Sequence, residues 1–183
     1  MDFRIQEDIL TERLALIAIT PASVCAEQAN DGELAGIAGA RVPAAWPPEH
    51  WEPHVLELLR TRFAEDPADV GWHRYVAVRE ADGGRTLIGT LGGFRREDAC
   101  EVGYSVLPEF QGFGYATEGL QGFLAWVFAR SPEEVIVAQT FPTLTASIRV
   151  MEKCGMVFVG PGFEEGTVLY RLRRAAVAWN GGV

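Results

Sequence analysis

The sequence predicts one domain of the α/β (α+β) class, with a mixed, mostly antiparallel sheet of about seven strands flanked by helices. Residues 72–80 and 86–94 are rich in β-formers and flank an Asp-Gly turn, which is typical of a hairpin. A strand over 100–107, a helix and a strand over 133–140 require at least one parallel pair. The length, 183 residues, suits a single domain over residues 1–183.

The first third of the chain predicts a strand followed by helices. Residues 13–19 are apolar and partly β-branched, and a helix near 21–30 follows them. Glycines and prolines crowd residues 31–48, which predicts a surface loop or a broken helix. A helix is predicted over 49–65. Its apolar residues at helical spacing, which we expect to share one face, are Val55, Leu58, Leu59 and Phe63.

The remaining elements follow from the hairpin onward. Residues 100–107 alternate in polarity and predict a third strand of a meander. A helix begins near Gly114, and another over 144–155 ends at Gly155, a residue type suited to the position after a helix. On the first of these helices, the apolar residues at helical spacing are Ala116, Leu120, Phe123, Leu124 and Val127. Two further strands, MVFVG and TVLYRLR, complete the predicted order.

Charge and composition exclude several classes of protein. The formal net charge is −9, which would repel a nucleic acid, so we expect no nucleic acid partner. No apolar run reaches the roughly 18 residues of a membrane span, and the N-terminus lacks the apolar core of a signal peptide. The three cysteines are widely spaced, so neither a disulfide framework nor a zinc site is indicated. We therefore expect a cytoplasmic protein without a membrane partner.

The stretch QGFGYAT, residues 111–117, carries the clearest chemical signal. It lies between a predicted strand and a predicted helix, where unbonded backbone amides and the helix dipole favour an anion. No lysine follows the glycines, as a Walker loop would require. A Rossmann fingerprint would need a third small residue and a preceding parallel sheet. The stretch therefore predicts an anion site of another kind.

These residues resemble the signature [RQ]-x-x-G-x-[GA] of the GNAT superfamily of acetyl-CoA-dependent N-acetyltransferases, through Gln111, Gly114 and Ala116. The longer block EVGYSVLPEFQGFGYATEGL resembles the ribosomal-protein-alanine N-acetyltransferase (RimJ/RimL-like) branch. TERLAL and ASIRVMEKCGM resemble the first strand and a late helix of that branch. The resemblance spans nearly the whole chain, and residues 31–70 match least.

The resemblance implies a GNAT acyl-CoA N-acyltransferase fold, with acetyl-CoA as co-substrate and no metal. It implies that a loop holds the CoA pyrophosphate, and that the end of the strand before this loop pairs with the pantetheine arm and polarises the acetyl carbonyl. The strand residues are Ser105, Val106 and Leu107. The loop residues are Gln111, Gly112, Phe113, Gly114, Tyr115, Ala116 and Thr117.

Two catalytic residues follow from the same resemblance. Ser147 matches the serine that donates a proton to the CoA sulfur, although a serine early in a helix also commonly bonds nearby backbone groups. Glu101 resembles an acidic residue that would deprotonate the amine through water or attract it; alternatively it is a solvent-facing strand residue. Leu144 departs from the family, which usually has asparagine there, and this puts details of cofactor binding in question.

Two histidines and two tryptophans receive no catalytic role. His50 and His54 are four residues apart, but Pro53 disturbs the intervening helix and no third ligand has suitable spacing, so no metal site is predicted. Trp46 and Trp51 lie in the least similar segment, where we expect specificity elements.

The sequence thus favours transfer of an acetyl group from acetyl-CoA directly to a primary amine through a ternary complex. The acceptor, a protein N-terminus, an aminoglycoside, a polyamine or a small metabolite, would enter through residues 31–70. A non-catalytic acyl-CoA-binding or sensing domain is the alternative that Leu144 favours, and a nucleotide phosphate binder is a third. By analogy with the family, a homodimer through the late strands is expected.

Overall fold

A computed structural model describes residues 7–96, 99–130, 132 and 135–174. These residues form eight strands and five α-helices, and the strand order in the sheet is β1-β2-β3-β4-β5-β6-β8-β7. The elements are β1 (Ile9–Leu10), β2 (Leu14–Ala18), α1 (Pro21–Ala29), α2 (Leu34–Ala38), α3 (Pro53–Glu65), β3 (His73–Arg79), β4 (Arg85–Arg95), β5 (Cys100–Val106), α4 (Tyr115–Arg130), β6 (Val135–Thr140), α5 (Thr145–Lys153), β7 (Val157–Pro161) and β8 (Val168–Arg173).

The sheet is mixed and mostly antiparallel, which confirms the predicted fold class. Strands β1 to β4 form an antiparallel series, and β8 pairs antiparallel with both β6 and β7. Strand β5 pairs with β6 in parallel, as the strand–helix–strand order required. The strand beyond the predicted seven is β1, whose two residues are too short to show an alternating pattern.

The chain divides into two compact units, residues 1–92 with 104–123, and residues 93–103 with 124–183. The prediction of a single domain over residues 1–183 stays a prediction. The first unit buries its apolar side chains on β2, β3, β4, α3 and the first half of α4. Its largest fully buried apolar residues are Leu14, Leu16, Ile19, Leu59, Tyr75, Leu87, Ile88, Leu107, Leu120 and Phe123.

The second unit buries apolar residues of β6, β8 and the later part of α4, among them Ile136, Leu172 and Val127. Helix α5 ends just before Gly155, whose φ of +81° reverses the chain into β7. No helix in the described part of the chain is long and apolar enough to cross a membrane.

Helix α3 differs from its predicted face. Leu58 is 45% exposed, whereas Leu56, Leu59 and Phe63 are buried. The buried residues of α3 therefore recur at i, i+3 and i+7, and the prediction that Leu58 lies on the same face was wrong. Because adjacent leucines at 58 and 59 offer two overlapping stripes, the sequence alone did not distinguish them.

Candidate functional site

The segment after β5 forms a compact turn that leads into α4. A single 3₁₀ turn over Pro108–Phe110 follows the buried Leu107, and α4 then begins at Tyr115. The Gln111 side chain folds back, and its Nε2 donates to the carbonyl oxygen of Val106 at 2.8 Å. The first residue of the signature therefore fixes the loop to the end of the strand.

Residues 111–117, here called the glycine loop, depend on backbone conformations that favour glycine. Gly112 and Gly114 each have a φ of +83°, in the left-handed region that other residues rarely adopt. A Cβ built on Gly112 would meet no atom within 4 Å, and one on Gly114 would lie 3.6 Å from a terminal nitrogen of Arg13. The space beside Gly112 is therefore open to a ligand, and the amides of the first turn of α4 lie next to it.

Arg13 packs against the glycine loop from the strand region of the same unit. Its terminal nitrogen Nη1 donates to the carbonyl oxygen of Phe113 at 3.0 Å, and the guanidinium lies 4.6 Å from the centre of the Tyr115 ring. Because the peptide group is planar, holding the carbonyl of Phe113 toward Arg13 directs the amide of Gly114 to the opposite side. Arg13 therefore both orients a loop amide and adds positive charge beside it.

Glu118, on the first turn of α4, keeps Arg13 in place. Its carboxylate accepts from Nε of Arg13 at 2.7 Å, from the Arg13 backbone amide at 2.7 Å and from Oγ1 of Thr11 at 2.6 Å. Burial disfavours the charged form of Glu118, but the bonds from Thr11 and Arg13 outweigh it and hold the pKa below its usual value. The carboxylate is therefore ionised at neutral pH, and the ion pair persists.

The end of β5 is held tightly against β4. The Leu107 amide donates to the carbonyl oxygen of Ile88 at 2.8 Å. A Cβ on Gly89 would lie only 2.2 Å from the carbonyl oxygen of Ser105, so only glycine allows this approach. Pairing between β5 and β6 joins Cys100 and Glu101 with Ile136 and Val137, and Ser105 to Leu107 lie beyond that paired stretch.

Glu101 lies in the second unit within a polar cluster. Its carboxylate accepts from the Arg96 guanidinium and from Nε2 of Gln139, the latter at 2.8 Å. The side-chain oxygen of Gln139, Oε1, accepts from the Phe163 amide at 2.9 Å and from Oγ1 of Thr167 at 3.0 Å. These contacts hold the Glu101 carboxylate in one position.

Ser147 is the third residue of α5, also in the second unit, and is half-buried. Leu144 occupies the N-cap position of this helix, is 46% exposed, and makes no capping hydrogen bond through its side chain. Asparagine at an N-cap would accept from the first-turn amides. The departure from the family therefore leaves α5 without a side-chain cap at its N-terminus.

The first unit contains a second polar cluster, which the sequence did not predict as a complete set. Glu27, near the end of α1, accepts at Oε1 from the indole nitrogens of Trp46 and Trp51, both at 2.8 Å, and at Oε2 from the Tyr75 hydroxyl at 2.8 Å. Burial raises the pKa of Glu27, and the three donors oppose this in part. Here this set is called the Glu27 cluster.

Two of its members, Trp46 and Trp51, were predicted as specificity elements. Glu27 and Tyr75 were missed, because they come from α1 and β3 and share no local spacing with the tryptophans. Arg13 was missed in the same way, although TERLAL was recognised as a segment. Arg13 is a cation at the start of the predicted first strand, and its partner Glu118 lies 105 residues further along the chain.

The histidines do not form a metal site with other described residues. No group of three or more His, Cys, Asp or Glu suited to a metal occurs in the described ranges. His54 lies 3.3 Å from Glu52 and His50 lies 3.8 Å from Glu49, and all four side chains are largely exposed. Cys154 is no candidate nucleophile either, since burial raises the pKa of its thiol to about 12.

Comparison with known proteins decides the family. The family model described as "Acetyltransferase (GNAT) domain" matches residues 22–157. The chain belongs to this family. The match confirms the predicted acetyltransferase domain, and acetyl-CoA is the acyl donor that the family uses. The matched range includes the glycine loop, β5, Glu101 and Ser147.

A curated relative is similar over part of the chain. The FsC-acetyl coenzyme A-N(2)-transacetylase of Aspergillus fumigatus is 34% identical over 89 residues, which cover 43% of this chain and 38% of that protein. The chain therefore spans well under half the length of this relative.

Solved structures of similar fold cover nearly the whole chain. An acetyltransferase of the GNAT family from Bacillus anthracis has a TM-score of 0.58 at 21% identity, covering 91% of this chain and 98% of its own. The ribosomal-protein-S5-alanine acetyltransferase of Vibrio fischeri has a TM-score of 0.59 at 17% identity, covering 95% and 99%. At this identity the likeness shows the GNAT fold.

The residues of the glycine loop fit the diphosphate of acetyl-CoA. Open space borders Gly112, the first-turn amides of α4 adjoin it, and the Arg13 cation lies beside Gly114. The amides stabilise an anion, and Arg13, whose own charge is paired with Glu118, orients one of them.

Proposed function

We propose that the chain transfers the acetyl group of acetyl-CoA directly to a primary amine, in a ternary complex and without a covalent enzyme intermediate. The observation that carries the proposal is the pair of glycines at +83° that open the N-terminus of α4, with Arg13 beside them. The acceptor is a protein N-terminus or a small-molecule amine, in the manner of the RimJ/RimL-like branch. A cytoplasmic setting, and no nucleic acid partner at a net charge of −9, belong to the same proposal.

Each part of the site has one task in this proposal. Acetyl-CoA supplies the activated thioester. The amides of residues 112–117 bind its pyrophosphate, and Gln111 holds the loop to β5. The backbone of Ser105, Val106 and Leu107 accepts the pantetheine arm and polarises the acetyl carbonyl. Polarisation matters because charge develops on that oxygen as the amine attacks.

Two side chains carry the proton transfers in this proposal. Ser147, at the third position of α5, donates a proton to the departing CoA sulfur. Glu101, held by Arg96 and Gln139, attracts the amine and accepts its proton through water. Direct attack requires a neutral nitrogen, so loss of this proton precedes bond formation.

The test is the release of CoA thiol with a panel of primary amines, compared with the rate of acetyl-CoA hydrolysis alone. We expect at least one amine to accelerate thiol release and to gain acetyl mass. Ser147→Ala and Glu101→Gln should each lower kcat by about 10²-fold or more, with the KM for acetyl-CoA nearly unchanged. If no amine exceeds hydrolysis while CoA still binds, the proposal is wrong.

That negative outcome would favour a non-catalytic acyl-CoA-binding or sensing domain of the same fold. The observation in its favour is Leu144, which leaves α5 without the side-chain cap that asparagine would supply. Competition of ATP with CoA in a thermal shift assay would instead favour a nucleotide phosphate binder.

A homodimer is a further part of the proposal. β7 is the last strand in the sheet order, and Val157 and Phe158 on it are each 60% exposed. An outer strand with exposed apolar side chains is a common site of self-association. Sedimentation of the wild type against Phe158→Glu tests this, since the charged variant should shift a dimer toward monomer.

A further inference from the structure

The Glu27 cluster has the chemistry of a cation site. Its carboxylate is half-buried, and the three partners that contact it are neutral donors. Among the described residues no arginine, lysine or histidine pairs with it. A negative charge taken out of water without a cationic partner is unfavourable, so a cationic ligand would stabilise it.

The position of Glu27 on its helix adds to this charge. Glu27 is two residues from the last residue of α1, Ala29, and the last turn of α1 holds no basic residue. Carbonyl groups at a helix C-terminus carry partial negative charge, which disfavours a carboxylate and favours a cation. The carboxylate and the helix end therefore act in the same direction.

Counting hydrogen bonds shows where a cation would bind. A carboxylate offers about four acceptor positions, two on each oxygen. Oε1 of Glu27 accepts from both Trp46 and Trp51, so its two positions are filled. Among the described residues, only the Tyr75 hydroxyl donates to Oε2, so one position on Oε2 is left for an N–H donor.

The aromatic rings around Glu27 suit an ammonium group as well. Trp46 and Trp51 lie edge-on to the Tyr75 ring, with centroids 5.8 and 6.5 Å apart. Three such rings beside one carboxylate supply apolar contact for an alkyl chain. The cluster would therefore accept an ammonium carried on an alkyl chain better than a hydrated metal ion.

The sheet places this cluster near the expected reaction site. Tyr75 on β3 pairs with Thr90 on β4, and the neighbouring Gly89 contacts Ser105 on β5. Two strand spacings, about 10 Å, therefore separate Tyr75 from Ser105 along the sheet. All of these residues belong to the first unit.

We propose that the Glu27 cluster binds a second, non-reacting ammonium group of the acceptor, so that the preferred acceptors are amines with two or more cationic centres. This inference rests on the proposed acetyl transfer. An ammonium paired with an ionised carboxylate stays protonated and is no nucleophile, so the nitrogen held by Glu27 is not the one acetylated. The acetylated nitrogen is therefore a different amine of the same molecule.

The first experiment measures binding and needs no turnover. Calorimetric titration of the wild-type protein compares 1,6-diaminohexane with 1-aminohexane, which has the same chain length and one cation fewer. We expect the diamine to bind at least about tenfold more tightly, the effect of one hydrogen bond between charged groups. Equal affinities in the wild type would overturn the proposal without recourse to any variant.

Variants then test whether Glu27 is the cause. Glu27→Gln should remove the preference for the diamine, and Tyr75→Phe, which keeps the carboxylate, should retain it. Glu49→Gln is the control, because it makes the same charge change on a side chain that is 79% exposed in the same part of the chain. A Glu27→Gln variant that is less stable but keeps the diamine preference would show that the cluster only supports the fold, and would refute the proposal.

Steady-state kinetics separate this proposal from acetyl transfer itself. If diamines are acetylated, Glu27→Gln should raise their KM about tenfold or more and leave the KM for acetyl-CoA unchanged. If amines are acetylated and this KM does not change, the cation site is refuted while acetyl transfer stands. If no amine is acetylated but the calorimetric preference depends on Glu27, acetyl transfer fails while the cation site stands.

Discussion

Replacement of Gly112 by alanine tests the role of the glycine loop, because a matched glycine exists elsewhere in the same unit. Gly112 has a φ of +83° and Gly83, in the turn between β3 and β4, has a φ of +88°. A Cβ at either position would meet no atom within 4 Å. The two substitutions therefore impose the same backbone cost and create no clash with the protein.

The magnitude follows from this geometry. Holding alanine in the left-handed region costs about 1–2 kcal/mol, so Gly112→Ala and Gly83→Ala should each lower the free energy of unfolding by that amount. For a chain of this size, each kcal/mol lowers Tm by about 2–4 °C. Thermal unfolding followed by circular dichroism should give nearly equal shifts for the two variants.

Binding of acetyl-CoA should distinguish them. Relief of the strain at Gly112 rotates the adjoining peptide groups and turns their amides away from the pyrophosphate. Loss of one hydrogen bond to a charged group, about 1.5–3 kcal/mol, would raise the Kd for CoA at least tenfold. Gly83→Ala should leave Kd unchanged. Equal Kd values for the two variants would show that residues 111–117 do not hold the anion.

Three further predictions concern single side chains. Arg13→Lys keeps the positive charge, but lysine cannot both pair with Glu118 and hold the Phe113 carbonyl. The Kd for CoA, measured by calorimetry, should therefore rise about three- to tenfold. An unchanged Kd would show that Arg13 is not part of the site. Leu144→Asn should cap α5 and so raise the free energy of unfolding, measured by urea titration, by about 1 kcal/mol. An unchanged free energy of unfolding would show that the N-cap geometry does not allow the asparagine side chain to accept from the first-turn amides. Burial lowers the pKa of His73 from 6.5 to about 4, and the nearby positive charge of Arg62 adds to this. The unfolded chain therefore binds a proton below pH 6.5 that the folded chain does not, and stability should fall by about 1.4 kcal/mol per pH unit from 6.5 toward 4. His73→Gln should flatten this slope between pH 6.5 and 5.5, and a slope that persists would assign it to other groups.

The order of the elements was predictable because each carries a local signal. The Asp-Gly turn between β3 and β4, and the change from alternating to helical spacing near Gly114, depend on residues close in sequence. The parallel pairing of β5 and β6 followed from the helix between them. Strand β1 was not predictable, because two residues form a strand only through pairing with β2.

The glycine loop was predictable for a related reason. A strand, two glycines and a helix in succession place amides and open space together without help from distant residues. What the sequence did not reveal is how the loop is held. Arg13 and Thr11 reach Glu118 from 105 and 107 residues away, and Arg13 also sets the orientation of the Phe113 carbonyl. A contact of this separation leaves no spacing rule to detect.

The Glu27 cluster shows why the donor of the reaction was easier to predict than the acceptor. In the proposed function the pyrophosphate is bound by backbone amides, and a site of this kind has a constant local geometry and leaves a short motif. An ammonium is bound by side chains, and here they come from α1, from the segment after α2 and from β3. Any three segments that the fold brings together could supply such a set. Specificity for the amine therefore has to be sought in three dimensions, where an unneutralised carboxylate among aromatic rings is the feature to look for.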